Sequence, residues 1–357
     1  MNKWYESNGA NSDVVLSSRI RLARNFSNYP FASKISDEDG TELVNSVVGT
    51  FQKDFPDEYR YYFMNSCTEA KKNALKERRS ISSYLVKSKN GAVILSGDEG
   101  TSVLVNGEDH IRIQVIANGM NIPACFKKAN EIDDYIDSRF DYAYDEQYGY
   151  KTTYPTNVGT GLRAGYTLHL PALSQTRKIT QIGTELGRFG IRMRQVYGDE
   201  EDSFGNLYQV STQKTLGQDE RTIIKDFDDI VLQIISQERE QRSAIYDKDK
   251  CRAEDVAYKS YGVLKYARKL TLRDAMTLLS ELMTGLAIGI LSTKDGHNID
   301  VNRLIMDIQP AVLNNSAGKA LSVAETDMLR AQYLRSNLPE ICLLYTSDAA
   351  DDLTRVD

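Results

Sequence analysis

The chain has 357 residues, 41% hydrophobic and 26% charged, an ordinary balance for a globular protein with room for two domains. Its formal net charge of -6 argues against a general nucleic-acid or membrane-surface binder, since either needs a positive field. Any anion site must therefore be a local cluster of basic side chains.

The opening "MNKWYESNGANSD" has no apolar core and is not expected to be a signal peptide, and no run of about 18 apolar residues follows to span a bilayer. The four cysteines show no metal-site spacing and suit a reducing cytoplasm; three histidines argue against a His-based metal site. Helical patterns near residues 40–54 and 65–78 precede the strand-like runs "GAVILS", "TSVLVNG" and "IRIQVIANG", whose short connections "GDEG" and "GEDH" predict an antiparallel meander. A charged helix is expected at 129–143, then a glycine-containing loop, the strand "GYTLHLP", and helical spacing over 172–189. "IRMRQVY" and "LYQVSTQ" predict a hairpin around the polar tip "GDEEDSFGN". From about residue 218 the apolar spacing is helical throughout, with a soft boundary near 241. "DAMTLLSELMTGLAIGILS" is apolar over a broad face, and Gly285 and Gly289 predict a closely packed neighbour, as a bundle core or a dimer seam. The tail 342–357, beginning "CLLYTSDAAD", back-translates to a string resembling a sequencing-library adapter; it is expected to be a read-through product and enters no fold argument.

The loop "YPTNVGTGLRAG" raises a question of charge. Gly159 and Gly161 allow backbone N–H groups to turn toward an anion, but the Lys-Ser/Thr pair of a Walker loop is replaced by Leu162 and Arg163. Either the loop is an ordinary turn or the counter-charge comes from elsewhere. "SSRIRLARN" carries Arg19 and Arg21, which share a face if extended; Arg112 and Arg194 sit in two further strand-like segments. With Arg163 these five could clamp a triphosphate, because the planar guanidinium fork donates paired hydrogen bonds and stays charged.

"SSRIR", "EDHIRI", "PTNVGTGLRA" and "RQVYG" occur in this order in the ATP:guanidino phosphotransferases, and the chain resembles that family over roughly residues 10–341. The nearer likeness is to the bacterial protein arginine kinases of the McsB type: "SSRIR" begins at residue 17, leaving no room for the helical domain that precedes it in phosphagen kinases, and the C-terminal third is helical. The resemblance implies an α+β catalytic domain over 10–241, an antiparallel sheet flanked by helices, and an α-helical domain over 242–341 for dimerisation and phosphoarginine sensing. It implies transfer of the ATP γ-phosphoryl group, with Mg²⁺, to arginine side chains of proteins in the cytoplasm, marking them for Clp-type degradation in stress control. ATP is expected at Ser17, Ser18, Arg19, Ile20, Arg21 and Arg112, at Arg163, Ala164, Gly165, Tyr166 and Thr167, and at Arg194, Gln195, Val196, Tyr197, Gly198 and Asp199. No protein-bound metal site is expected. The implied partners are protein substrates with exposed arginine, a zinc-binding activator, a Clp-type unfoldase and a second copy of the chain, without nucleic acid or membrane.

A guanidinium is a poor nucleophile, so a carboxylate must hold it, aim one nitrogen and take its proton. By resemblance that base is Glu108, with Asp199 as a second carboxylate where the family has Glu; Asp109 and His110 support the turn. Tyr154 replaces a cysteine on the substrate side, Tyr84 stands where a histidine near the adenine is usual, and Gln195 replaces a glycine. The sensing motif falls on Thr326, Asp327, Arg330 and Ala331, with Thr326 in place of an arginine. These departures leave two alternatives: a nucleotide-binding pseudokinase or adaptor with an impaired guanidinium site, and a kinase of small guanidino compounds.

Overall fold

The computed structural model describes residues 2–6, 9–198, 202–294, 296 and 299–342. Its strands are β1 (Val15–Arg24), β2 (Tyr59–Phe63), β3 (Ala92–Ser96), β4 (Thr101–Val105), β5 (Ile111–Asn118), β6 (Tyr144–Asp145), β7 (Gly149–Tyr150), β8 (Leu162–His169), β9 (Ile191–Gln195) and β10 (Leu207–Thr212). Among the described residues, eight of them form one antiparallel sheet in the order β2-β3-β4-β5-β1-β8-β10-β9, and β6 pairs with β7. The expected meander is β3-β4-β5, and the expected hairpin is β9-β10. "SSRIRLARN" is a central strand, paired with β5 on one side and β8 on the other.

The helices are α1 (Asp37–Asp54), α2 (Glu69–Glu77), α3 (Ser83–Lys87), α4 (Ile122–Asp137), α5 (Pro171–Gln175), α6 (Ile179–Arg188), α7 (Glu220–Lys248), α8 (Lys250–Tyr266), α9 (Leu272–Ala287), α10 (Val301–Asp307), α11 (Pro310–Ala317) and α12 (Val323–Asn337). The helix expected at 129–143 is α4, which starts earlier because Pro123 occupies its first turn, where a missing N–H costs nothing. The stretch 172–189 is two helices rather than one. Arg177, at φ 57°, breaks them apart in a left-handed conformation that no helix continues through. The expected boundary at 241 lies inside α7, a 29-residue helix started by Asp219, whose carboxylate accepts the Arg221 and Thr222 N–H groups.

One sheet face is apolar and covered. Ile20, Leu22, Ile111, Ile113, Leu162, Ala164, Tyr166 and Val210 form a single core with Val44 and Val47 of α1, Ala129 and Ile132 of α4, and Phe227 and Val231 of α7. On the other face Leu75, Ile81 and Leu85 of the α2-α3 segment cover the β3-β4 end, while Arg21, Arg163, Arg194 and Gln209 line a cleft at the opposite end. A second core lies in the helical region, where Leu279, Leu282 and Leu334 meet Leu16 and Leu207 of the sheet. Gly285 fulfils the close-packing expectation: a Cβ there would stand 2.8 Å from the Ala257 Cβ of α8. Gly289, at φ 78° with nothing near it, instead ends α9 as a left-handed cap residue. The buried face of α9, with Leu279, Leu282 and Gly285, thus packs within the chain as the expected bundle core. Among the described residues no helix is long and apolar enough to cross a membrane.

Where the two parts meet, Glu238 is 0% exposed, accepting the Ala172 and Leu173 N–H groups of α5 and the Arg242 Nε at 2.7 Å. Arg242 also donates to the Asp13 and His169 carbonyls. Removing one member of a buried pair leaves an uncompensated charge, so Arg242→Met should lower unfolding free energy by about 3–5 kcal/mol. Adding Glu238→Gln should restore part of that loss in urea denaturation; a single variant within about 1 kcal/mol of the parent would show that the pair is not needed.

Candidate active site

Residues paired across an antiparallel ladder point to the same side of the sheet. Arg21 pairs with Gln114 on β5 and with Arg163 on β8, while Ala23, two residues on, pairs with Arg112. Ser17, two residues before Arg19, pairs with Thr167, which pairs with Gln209, which pairs with Arg194. Arg19, Arg21, Arg112, Arg163 and Arg194 therefore all rise from the face opposite the apolar core. Four separate strands deliver them, and the two-residue alternation of each strand does the sorting.

Few of these guanidinium groups are neutralised. Neither Arg19 nor Arg21 has a hydrogen-bond acceptor or ion-pair partner among the described residues, and the Arg21 Nε is buried with nothing to donate to. Burial, then the neighbouring Arg112, Arg163 and Arg194, push the Arg21 guanidinium down to about 9. Burial, then Arg21, Arg79, Arg194 and Arg112, push Arg19 well below its ordinary value. Arg163 is aimed by three hydrogen bonds, to Asn157 Oδ1 at 2.9 Å and to the Thr212 and Thr156 carbonyls. Arg194 donates through Nε and Nη2 to Gln209 Oε1. Arg21, Arg163, Arg192, Arg194 and Lys214 line a cleft of about 760 Å³, and among the described residues no carboxylate lines it.

At the β4-β5 turn the charge reverses. Glu108 Oε1 accepts from Arg112 Nη1 at 2.9 Å and Oε2 from Ser82 Oγ at 3.0 Å, so both oxygens are held at the edge of the arginine face. Asp109 accepts from Asn25 Nδ2 and the Thr153 N–H; His110 accepts the Phe26 N–H at Nδ1 and lies 2.8 Å from the Pro30 carbonyl at Nε2. Both brace the turn. Burial also lowers the His110 pKa, keeping the ring neutral.

The glycine loop works as a strap and not as a phosphate cradle. The Gly159 N–H goes to the Tyr150 carbonyl and the Thr160 N–H to the Thr215 carbonyl, so neither is left for an anion. Gly159, at φ 110°, lets the strap lie where a Cβ would stand 2.0 Å from the Thr215 carbonyl, and Gly161 does the same against Ala23 and Arg24. The strap's product is the position of Arg163. Tyr154 stands at its start, 48% exposed.

The remaining expected nucleotide residues divide. Ile20, Ala164 and Tyr166 are buried in the apolar core on the opposite face, and Ser18 Oγ bridges the Gly119 carbonyl and the Asn121 N–H, so their side chains serve as scaffold. Ser17, Gly165 and Thr167 lie on the arginine face. Val196 and Tyr197 pack against the helical core, Gly198 turns at φ 82°, and Gln195 Oε1 is buried without a partner among the described residues. Asp199 lies outside the described residues. Tyr84 is on α3, 43% exposed. Arg79 was not foreseen: it donates to Ser17 Oγ and Thr167 Oγ1 from a left-handed turn after α2, joining the arginine face from a segment that reads as a helix end.

The expected sensing residues are closed in. Arg330 is 1% exposed, donating to the Ile308 and Leu270 carbonyls and to Asp327 Oδ1 at 2.7 Å; Ala331 is 0% exposed. Thr326 donates to the Ser322 carbonyl. Asp327 and Arg330 thus pair with each other inside the helical core.

Comparison with known proteins agrees with this geometry. The family model described as ATP:guanido phosphotransferase, C-terminal catalytic domain, matches residues 41–241, and that of the protein-arginine kinase McsB C-terminal domain matches 250–347. The protein-arginine kinase of Bacillus subtilis is 38% identical over 341 residues, 95% of this chain and 93% of that one. That of Caldanaerobacter subterraneus is 38% identical over 337 residues, 91% of this chain and 97% of that one. Among solved structures, a lombricine kinase superposes with a TM-score of 0.58 at 20% identity over 67% of this chain and 71% of that one. The duplicated taurocyamine kinase from Schistosoma mansoni, with bound transition-state analogue components, gives 0.57 at 24% identity over 64% of this chain and 33% of that one. At those identities the structures speak for the fold, but the sequence matches extend across nearly the whole chain, which therefore belongs to the ATP:guanido phosphotransferase family, among its protein-arginine kinases.

Proposed function

We propose that the open arginine face binds the phosphates of ATP and that Glu108 holds, aims and deprotonates an arginine side chain of a protein substrate. The observation that carries this is a face of five guanidinium groups, of which Arg19 and Arg21 have no counter-ion among the described residues, ending at one fixed carboxylate. A polyanion in the cleft relieves their mutual repulsion, and the guanidinium fork matches its oxygens. The substrate guanidinium, delocalised and with a pKa above about 12, reacts once Glu108 takes a proton from the attacking nitrogen. A P–N bond to the γ-phosphorus forms as the P–O bond to ADP breaks, and the negative charge left on the ADP oxygen is stabilised by the arginines. Arg112 is shared between Glu108 and the arginine face, which ties donor and acceptor ends together.

Among the described residues no group of three or more His, Cys, Asp or Glu could hold a metal ion. We propose that Mg²⁺ accompanies the nucleotide, where it would add to the charge neutralisation that the arginines supply. The described cysteines are all free, which supports action in a reducing cytoplasm. By family membership we also propose a zinc-binding activator, a Clp-type unfoldase and a second copy of the chain as partners.

Glu108→Gln should abolish phosphoryl transfer to an arginine-rich protein while ADP and ATP still bind by calorimetry. Transfer within tenfold of the parent, about 1.4 kcal/mol of barrier, would remove Glu108 from the base role. Arg21→Gln should trade function for stability. With one repelling, desolvated charge gone, the nucleotide-free protein should gain about 0.5–2 kcal/mol while nucleotide affinity drops. A variant that is less stable without nucleotide, or binds it as tightly as the parent, would contradict the view of Arg21 as a charge held for a ligand.

A further inference from the structure

A second groove, of about 790 Å³, shares a wall with the arginine cleft. Thr215 and Leu216 line both, and the strap divides them, with Pro155 and Thr156 on the cleft side and Gly159 and Thr160 on the groove side. The two have opposite charge. Asp137, Asp141, Glu146 and Glu220 line the groove, and among the described residues no lysine or arginine does. Its rim carries two tyrosines that a folded chain would otherwise cover: Tyr144 and Tyr148 are 56% and 53% exposed.

The protein itself shows what such a surface holds. Behind the groove, Arg24 lies with its guanidinium carbon 3.5 Å from the centroid of the Tyr150 ring and 5.8 Å from that of Tyr142. Its Nε and Nη2 donate to Asp133 Oδ2, while the Tyr142 hydroxyl donates to Asp133 Oδ1. Tyr142 and Tyr150 also line the groove, and Tyr144 packs edge-on against Tyr150 with centroids 5.2 Å apart. The inner side of the ring cluster is thus already an arginine-binding arrangement of aromatic faces and a carboxylate. The outer side repeats the same components and leaves them open.

We propose that this tyrosine-lined acidic groove is the docking surface for the basic segment of a protein substrate around the arginine to be phosphorylated. The inference rests on the protein-arginine kinase reading of the neighbouring cleft. A guanidinium or ammonium group over an exposed tyrosine gains cation–π attraction, and the four carboxylates supply the field that draws a basic segment in. The polarity also sorts the substrates: the nucleotide is drawn to the basic side of the strap and repelled from the acidic side, and a basic segment meets the reverse. Selectivity for arginines in basic surroundings follows from the groove, separately from the chemistry at Glu108.

Two fluorescent peptides test this, each with a single central arginine, one flanked by lysines and one by glutamates. For the full chain, fluorescence anisotropy should show the lysine-flanked peptide binding more tightly, with its advantage shrinking as salt screens the carboxylates. Tyr144→Ala with Tyr148→Ala, and separately Glu146→Gln with Glu220→Gln, should each weaken that peptide by about five- to tenfold, as expected from two exposed contacts. The glutamate-flanked peptide and ADP should bind both variants as they bind the parent, which also shows that the variants are folded. In turnover the loss should appear in the KM for the lysine-flanked peptide, with kcat unchanged. Affinity for that peptide within twofold of the parent in both variants, or an equal loss for both peptides, overturns the groove. If the parent binds peptide but transfers no phosphoryl group, the kinase reading falls instead, and the anisotropy comparison still decides the docking surface.

Discussion

The arrangement depends on repulsion. Guanidinium groups from four strands are brought to one sheet face, and among the described residues Arg19 and Arg21 have no counter-ion there. Left to itself such a cluster would spread or solvate. It is held because the opposite side of the same strands is the principal core: Ile20 and Leu22 cannot leave it without exposing apolar surface, so Arg19 and Arg21 cannot leave the polar face. Apolar burial of roughly 1.5–3 kcal/mol per large side chain, summed over many residues, outweighs the electrostatic cost of a few crowded cations.

Around that face each element has one electrostatic task. The strap fixes Arg163 through Asn157 and two carbonyls; the β4-β5 turn fixes Glu108 through Arg112 and Ser82; Asp109 and His110 fix the turn. Across the strap the arginine cleft and the acidic groove are separated by backbone, while at the β4-β5 turn Glu108 and Arg112 meet directly.

Much of this was legible in the sequence, for definite reasons. The β3-β4-β5 meander and the β9-β10 hairpin declare themselves through β-branched runs and short turns, and the five arginines through their place in those strands. What failed to show was long-range. β2 is "YRYYF", whose rings alternate too little to read as a half-buried strand, and its partner β3 lies about thirty residues on. Arg79 reaches the site because of a left-handed turn that an arginine does not announce. The glycines of the strap suggested an anion nest, yet Thr215, which takes up the Thr160 N–H, is far along the chain and leaves no mark near them. Arg330 and Asp327 look like an open motif because sequence gives no sign of the Ile308 and Leu270 carbonyls that close around them.

The long helix α7 has a mechanical consequence. At 1.5 Å per residue its 29 residues make a rod of about 43 Å, anchored on the sheet by Phe227 and Val231 and ending at Asp249. Asp249 is extended, at φ -153° and ψ 79°, and caps the start of α8. The chain can articulate there without breaking a helical hydrogen bond, but not at 241. Ile234 and Ile235 in the core, then Glu238 and Arg242 against α5 and His169, continue that anchorage well past the middle of the rod, so sheet and rod form one stiff body up to the last turns before α8.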